Sequence, residues 1–321
     1  MTDQRNPASA TDAQTHGSIS DSQSDKVPRF MTVKQVALYL QVNEKKIYTL
    51  VSEGKIPASK VTGKWLFPRD LVDQWVLESA HGGLLTDRML IAGSDDPLLY
   101  RAVMQIANQI HARALISYTP TGTQLGLSLL ARRRADMCGI HWGPVEESSK
   151  RHPALLKQFA QHYDWVLVRL YRREQGLILA PDSWPAGSRV EDLFSSERRW
   201  VARQEGAGSQ RFLQEIISRH GVNPAARRIT GRAYSERDAA SLVAMGQADV
   251  ATGIRAAATE FGLDFLPIGW EAFDLTMHRG IFFRTLFQKL LEHMRGAEIQ
   301  NLARMLGGYD LAECGNLIWP T

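Results

Sequence analysis

Between Thr32 and Val76 the apolar positions change period twice, and each change marks a new element. Thr32 precedes Val33, Val36, Ala37 and Leu40, a hydroxyl cap ahead of apolar residues at helical spacing, which predicts a first helix. Gln41-Val42-Asn43 interrupts it. Glu44 to Glu53 resumes the helical spacing, with Ile47, Leu50 and Val51 inward and Lys45, Lys46, Tyr48 and Thr49 outward, and Gly54 ends it. From Lys55 to Phe67 apolar and polar residues alternate on both sides of Thr62-Gly63, which predicts a hairpin. Pro68 and Arg69-Asp70 then open a short helix whose Leu71, Trp75 and Val76 pack back. The expected unit, residues 29–78, is a small winged helix-turn-helix.

Downstream the pattern becomes strand, polar turn, helix, repeated. Arg88 to Gly93 is an apolar strand, Ser94-Asp95-Asp96-Pro97 a turn, and Leu98, Val103, Ile106, Ala107 and Ile110 one face of a helix. Ala114 to Tyr118, Thr119 to Thr123 and Gln124 to Arg133 repeat the unit, and Ala135 to Ile140 makes a third strand that ends at His141-Trp142. Such alternation predicts a parallel sheet with ligands outside the carboxyl ends of its strands. Trp165 to Tyr171 and Gln175 to Ala180 read as two further strands, the second crossing into another lobe. There Val190 to Phe194 reads as a short helix, Arg199 to Ala202 as a strand, and Arg203 to Arg211 as a glycine-rich turn feeding a helix from Phe212 to His220. A turn of that kind gathers backbone N–H groups that suit an anion. Ile229 to Gly231 leads to a helix through Ala239 and Met245, and Ala248-Asp249 with its following apolar strand echoes Ala135-Asp136. Leu263 to Ile268 reads as a strand, Glu271 to Leu275 as the return, and Ile281 to Leu306 as a long amphipathic helical region. The expectation is an α/β, two-lobed clamshell, with lobe 1 at 88–175 and 270–321 and lobe 2 at 176–269. A linker at 79–87 contains His81-Gly82-Gly83, and residues 1–28, almost without large apolar side chains, are expected to form a disordered tail.

Charge sharpens the first unit. From Arg29 to Asp70, eight lysines and arginines stand against Glu44, Glu53 and Asp70, whereas the whole chain of 321 residues carries only +4. The excess fits phosphate neutralisation with the second helix in a major groove, and the candidate contacts are Lys34, Asn43, Lys45, Lys46, Tyr48, Thr49, Lys60 and Lys64. No apolar run approaches a membrane span and the N-terminus shows no signal core, so a cytoplasmic protein without membrane contact is expected. Cys138 and Cys314 lie among apolar residues and read as buried free thiols, with no metal site and no cofactor implied.

The ordered series Thr32, Val36-Ala37, Leu40, Val42-Asn43, Lys46-Ile47-Tyr48, Leu50, Gly54, Ile56-Pro57, Gly63-Lys64-Trp65, Asp70-Leu71 and Trp75 resembles the excisionase or MerR-like DNA-binding domain. In the remainder, Gly122, Ala135-Asp136, Gly139-Ile140-His141, Arg172, Gln175-Gly176-Leu177 and Arg203-Gln204 carry a second resemblance. It continues through Gly206, Gly208-Ser209, Arg211, Ala248-Asp249, Gly253-Ile254, Glu271 and Asp274-Leu275. These positions resemble the periplasmic-binding-protein-like domain, akin to molybdate-binding proteins, that is attached to bacterial regulators. The resemblance implies a sensor for a small ligand, an oxyanion such as molybdate or tungstate or a small carboxylate. Glu205 and Ala207 depart from the pattern in the glycine-rich turn.

The candidate ligand contacts are Ser94, Thr121, Gly122, Thr123, His141, Arg203, Ser209, Arg211, Tyr234 and Ser235. The hydroxyls would donate to an anion between the lobes, or else cap the helix each precedes. Arg203 and Arg211 would clamp it, or else pair with Glu205 or Asp238. Asp238 reads as a cap, and Arg132-Arg133-Arg134 as solvated surface. No nucleophile elbow, phosphate loop or zinc spacing occurs, so catalysis is not expected. The resulting expectation is a ligand-responsive regulator that binds double-stranded DNA as a homodimer. The alternatives are an architectural or recombination-directing DNA binder with the clamshell as dimer scaffold, or a ligand-binding protein of molybdenum-cofactor metabolism.

Overall fold

A computed structural model describes residues 28–79, 87–111, 114–184, 189–194, 197–221, 223 and 227–320. The expected tail up to residue 27, and 80–86 of the expected linker, lie outside the described residues. The N-terminal domain comprises β1 (Phe30–Met31), α1 (Val33–Tyr39), α2 (Glu44–Ser52), β2 (Ser59–Val61), β3 (Lys64–Pro68) and α3 (Arg69–Ser79). Thr32 and Gln35 form a reciprocal capping box at the start of α1. Thr62 and Gly63 both take positive φ, 46° and 83°, as the two-residue turn between right-twisted strands requires. Met31, Val36, Ala37, Ile47, Ile56, Phe67 and Val72 make the core. One expectation fails here: α3 buries Val72, while Val76 is 43% exposed and Leu71 and Trp75 are half-buried. Three short strands give the helix a floor for its first turns only.

The second unit begins with β4 (Asp87–Gly93), α4 (Pro97–Ile110), β5 (Ala114–Pro120), α5 (Thr123–Ala131), β6 (Met137–Ile140) and α6 (Ser148–Leu156). β7 (Trp165–Leu179) then runs into the second lobe, built from β8 (Arg199–Arg203), α7 (Gly208–Arg219), β9 (Arg228–Ala233), α8 (Glu236–Ala244), β10 (Val250–Ile254) and α9 (Arg255–Glu260). β11 (Asp264–His278) returns to the first lobe, followed by α10 (Arg279–Phe282), α11 (Thr285–Arg295), α12 (Ala297–Leu306), β12 (Tyr309–Asp310) and β13 (Leu317–Trp319). One sheet runs β5-β4-β6-β11-β7-β10-β8-β9 through both lobes, with β12 and β13 paired to β7.

Four expectations change. The two strands expected between Trp165 and Ala180 are one, and so are the strand and return expected between Leu263 and Leu275. The charged run Arg172-Arg173-Glu174 looks like a break, yet Arg173 is fully buried and ion-paired, so the strand passes straight through. β11 absorbs Ile268 as an irregularity between Pro267 and Gly269. The sheet is mixed, because β7 and β11 run antiparallel to each other and to their neighbours β10 and β6. The long helical region is three helices, broken after Phe282 and at Gly296, where the backbone is extended. Val190 to Phe194 is a short helix as expected, of the 3-10 kind.

The echoed Ala-Asp pairs do the same work in each lobe. Asp136 Oδ2 accepts from the Leu90 amide and Asp249 Oδ2 from the Arg199 amide, both at 2.8 Å, tying the end of a helix to the neighbouring strand.

Candidate functional site

The lobes meet where β4, β6 and β8 end and α5, α7 and α8 begin. A cavity of about 10 Å³, room for about one water, is lined by Ser94, Asp95, Gly122, His141, Arg203, Ala207, Gly208, Ser209, Tyr234 and Glu236. Six of the ten predicted ligand residues therefore converge: Ser94, Gly122, His141, Arg203, Ser209 and Tyr234. Each is aimed by its strand or helix end. Ser94 follows β4 and its Oγ lies 2.8 Å from Thr123 Oγ1. His141 follows β6, and its Nδ1 lies 2.7 Å from Glu271 Oε2 on β11. Ser209 sits in the first turn of α7, whose N-cap Ala207 offers no side-chain acceptor, so the helix presents free amides and its positive dipole end to the cavity.

The other four do different work. Thr123 is buried behind Ser94 as its hydrogen-bond partner. Thr121 Oγ1 accepts from the Gly93 amide at 3.0 Å and shapes the turn. Ser235 caps α8 by accepting from the Asp238 amide. Arg211 stacks over Trp142 and lines a separate outer groove of about 650 Å³ together with Glu205, which is exposed and absent from the cavity wall. Asp238 accepts from the Tyr234 amide, a capping role.

Three unfilled polar groups mark the cavity. Ser209 Oγ is fully buried with no hydrogen-bond partner. Arg203 lies 3.2 Å from Glu236 through Nη1 and Oε2, but these atoms are not aligned as a hydrogen bond, so Nη1, Nε and Oε2 keep unused capacity. Sequence reasoning missed Glu236 and Asp95, as well as the charges behind them. Arg173 is paired with Asp96 at 2.9 Å and Glu271 at 2.8 Å, and lies over the Phe273 ring. Burial works against the Arg173 charge, but Glu271 and Asp96 outweigh it and lift its pKa well above the usual value. Burial likewise pushes Glu271 upward, yet His141 and Arg173 hold it below the ordinary carboxylate range. The signal for all of them was present only as charge inside an apolar strand or turn.

The seam is shut. Arg237 of α8 donates to Asp95 through its amide at 3.1 Å, and Arg151 of α6 reaches Glu215 of α7 at 2.7 Å. A Cβ placed on Gly208 would lie 2.8 Å from His141 Nδ1 and closer still to Cε1 and Nε2 of that ring, so only glycine lets α7 sit against the imidazole.

On the N-terminal domain, Lys34 of α1, Lys45 and Lys46 of α2, and Lys60 and Lys64 of the hairpin are exposed, and Tyr48 of α2 is 52% exposed. Two predicted contacts are engaged within the fold: Asn43 Oδ1 caps α2 by accepting from the Lys46 amide at 2.8 Å, and Thr49 Oγ1 donates to the Lys45 carbonyl. Both side chains therefore also stabilise the helix that carries them. Cys138 and Cys314 are buried free thiols, the second pushed up to about 11 by its burial.

Comparison with known proteins agrees with both halves. A helix-turn-helix domain model matches residues 30–80, and a PBP superfamily domain model matches residues 105–295. The uncharacterized protein YvgK of Bacillus subtilis (strain 168) is 23% identical over 311 residues, 90% of this chain and 98% of that protein. A substrate-binding protein from Clostridium perfringens with bound phosphate aligns at TM-score 0.50 and 11% identity, over 68% of this chain and 97% of that one. A hydrogen-peroxide-bound OxyR mutant from Corynebacterium glutamicum aligns at TM-score 0.50 and 14% identity, over 86% of this chain and 89% of that one. With the two-lobed sheet, the crossing strands and a seam cavity at the strand ends all in place, the chain belongs to the PBP superfamily, with a helix-turn-helix domain ahead of its clamshell.

Proposed function

We propose that this chain is a transcriptional regulator whose clamshell closes on a small anionic ligand and, by closing, changes the affinity of its N-terminal domain for DNA. The observation that carries the ligand reading is Ser209: a hydroxyl with no partner, fully buried at the uncapped start of α7, beside the unfilled Nε of Arg203. Leaving such groups unpaired costs about 1–3 kcal/mol each, and an anion would satisfy both. That the Clostridium perfringens protein of this fold has phosphate bound supports an anion as the ligand class. The DNA reading is supported by the exposed lysines of the N-terminal domain. We read the cleft as a binding site and not a catalytic one, and the chain as a cytoplasmic homodimer, since one small reading domain contacts too few bases to select an operator.

Thermal unfolding of the full chain against a panel of oxyanions and small carboxylates, paired with gel shifts on its own upstream DNA, tests the reading. A panel member should raise Tm and alter DNA retention in wild type. The Ser209→Ala variant should lose that response and keep its basal DNA affinity. DNA retention that no ligand changes would overturn the regulatory claim, and failure to bind DNA at all would overturn the reading of the N-terminal domain.

A further inference from the structure

Resting on the anion reading of the cleft, we infer that the ligand carries its own proton donor: it is an anion with an O–H or N–H group, and not a fully deprotonated tetrahedral oxyanion. Glu236 opens α8, is 1% exposed, and lines the cavity with Oε2 lacking a hydrogen-bond partner. Gly253 stands behind it, where a Cβ would come within 3.1 Å of Oε2, so the backbone leaves this oxygen its place. The wall therefore offers unfilled donors, Ser209 Oγ and Arg203 Nε, and an unfilled acceptor, Glu236 Oε2. The shut cavity, about 10 Å³, holds no more than a water, so a larger guest enters with the lobes further apart, and it satisfies all of these groups only if it accepts at one end and donates at the other.

Charge leads to the same requirement. Of the two carboxylates in the cavity wall, Asp95 is offset by Arg237 at 3.4 Å and Glu236 by Arg203 at 3.2 Å, which leaves His141 as the remaining group on the wall able to carry a positive charge. Arg173, behind the wall, is already divided between Asp96 and Glu271. A dianion such as molybdate or sulfate would meet Glu236 with no surplus positive charge to offset it, in a seam where water does not screen the repulsion. A donor on the ligand turns that repulsion into a charge-assisted hydrogen bond. Hydrogenphosphate through its P–OH, an α-amino acid through its ammonium group, and a hydroxy acid through its hydroxyl share this chemistry.

Isothermal titration of the full chain separates these cases. One set of probes carries a donor (phosphate, glycine, serine, glycolate), the other lacks one at pH 7.5 (sulfate, molybdate, tungstate). Wild type should bind at least one member of the first set and none of the second. Glu236→Gln, which keeps shape but removes the charge, should weaken the donor-bearing probe about 10- to 100-fold and admit a member of the second set. Its unfolding curve, measured alongside, shows whether it remains folded, and Glu236→Asp should retain the wild-type preference. Wild type binding donorless oxyanions, or Glu236→Gln leaving the preference unchanged, overturns this inference while sparing the anion reading. Silence of every probe with both wild type and Glu236→Gln overturns the two together.

Discussion

Gly208→Ala should hold the clamshell open. The added methyl would stand 2.8 Å or less from the His141 ring, below the 3.0 Å that real side-chain carbons respect. His141 has nowhere to retreat, being 2% exposed and tied to Glu271 at 2.7 Å. The lobes must then separate by about an ångström at this point, or the ring must be forced off its partner. Overpacking of this kind costs about 1–3 kcal/mol, which falls entirely on the closed form and translates into about 5- to 150-fold less of it. The isolated lobe gains, since alanine suits a helix better than glycine, so global unfolding should be unchanged or slightly later. Spin labels on cysteines placed at the exposed Leu125 and Gln214, one on each side of the outer groove, report the separation. Native Cys138 and Cys314 are buried and should escape labelling. Wild type should give a short, narrow distance distribution, Gly208→Ala a longer and broader one, and the double variant with His141→Ala should recover the short one. Identical distributions for wild type and Gly208→Ala would refute the packing of α7 against His141 as the contact that defines closure.

Other outcomes follow from the same contacts. Arg173→Met leaves Asp96 and Glu271 buried without their cation, and should cost about 3–5 kcal/mol, roughly 6–20 °C in Tm for a unit of this size; a loss under about 1 kcal/mol would mean the carboxylates find other partners. Because Glu271 titrates below its ordinary value of 4.5, its contribution is complete above that pH and lost as pH falls through the lowered folded value, and Glu271→Gln should flatten this part of the acid unfolding profile. His278, pushed below 6.5 chiefly by burial and then by Arg133, acts in a higher window: the unfolded chain takes up its proton first, so stability should fall as pH drops below about 6.5, and His278→Gln should remove that slope. Replacing Lys45 and Lys46 with Ala should weaken DNA binding on every sequence and make the salt dependence shallower by about 0.9 for each phosphate that is no longer neutralised, checked by titrations at several salt concentrations.

What could be read from the sequence was whatever obeys a local rule. The N-terminal domain was legible because caps, period and turn glycine all lie within a few residues of the structure they specify, as at Thr32 with Gln35 and at Thr62-Gly63. The seam positions Ser94, His141, Arg203 and Ser209 were legible because strand ends and helix starts converge in a two-lobed α/β fold. Thr121 and Ser235 were misplaced because a hydroxyl before a helix looks the same whether it caps a turn or faces a ligand. The role of Arg173, and that of Glu271 beyond its place in the family resemblance, was hidden for a different reason. They are partners 98 positions apart, and until that pairing is known a charged residue in an apolar strand signals an end of the strand and not its buried middle.

That buried middle bears on how closure reaches DNA. β11 lies against β7 across the hinge and ends at His278, and the next residue, Arg279, donates through Nη1 to Ser59 Oγ on β2 of the N-terminal domain at 3.2 Å. Gly280 faces Leu71 of α3, and a cavity of about 410 Å³ separates the rest of the two surfaces, with Phe30 and Pro68 on one side and Arg133 and Ile281 on the other. A hydrogen bond beside so open a gap is a loose junction, of the kind that permits relative motion. The N-terminal domain thus contacts the lobe that holds the end of β11, and in the proposed closure the second lobe, carrying Arg203, Ser209 and Glu236, would swing against both. Ligand can bias DNA binding only through a difference in free energy between open and closed forms. In the proposed regulator the bend of β7 and β11, which join the two lobes and lead to Arg279, is the route by which that difference would be conveyed.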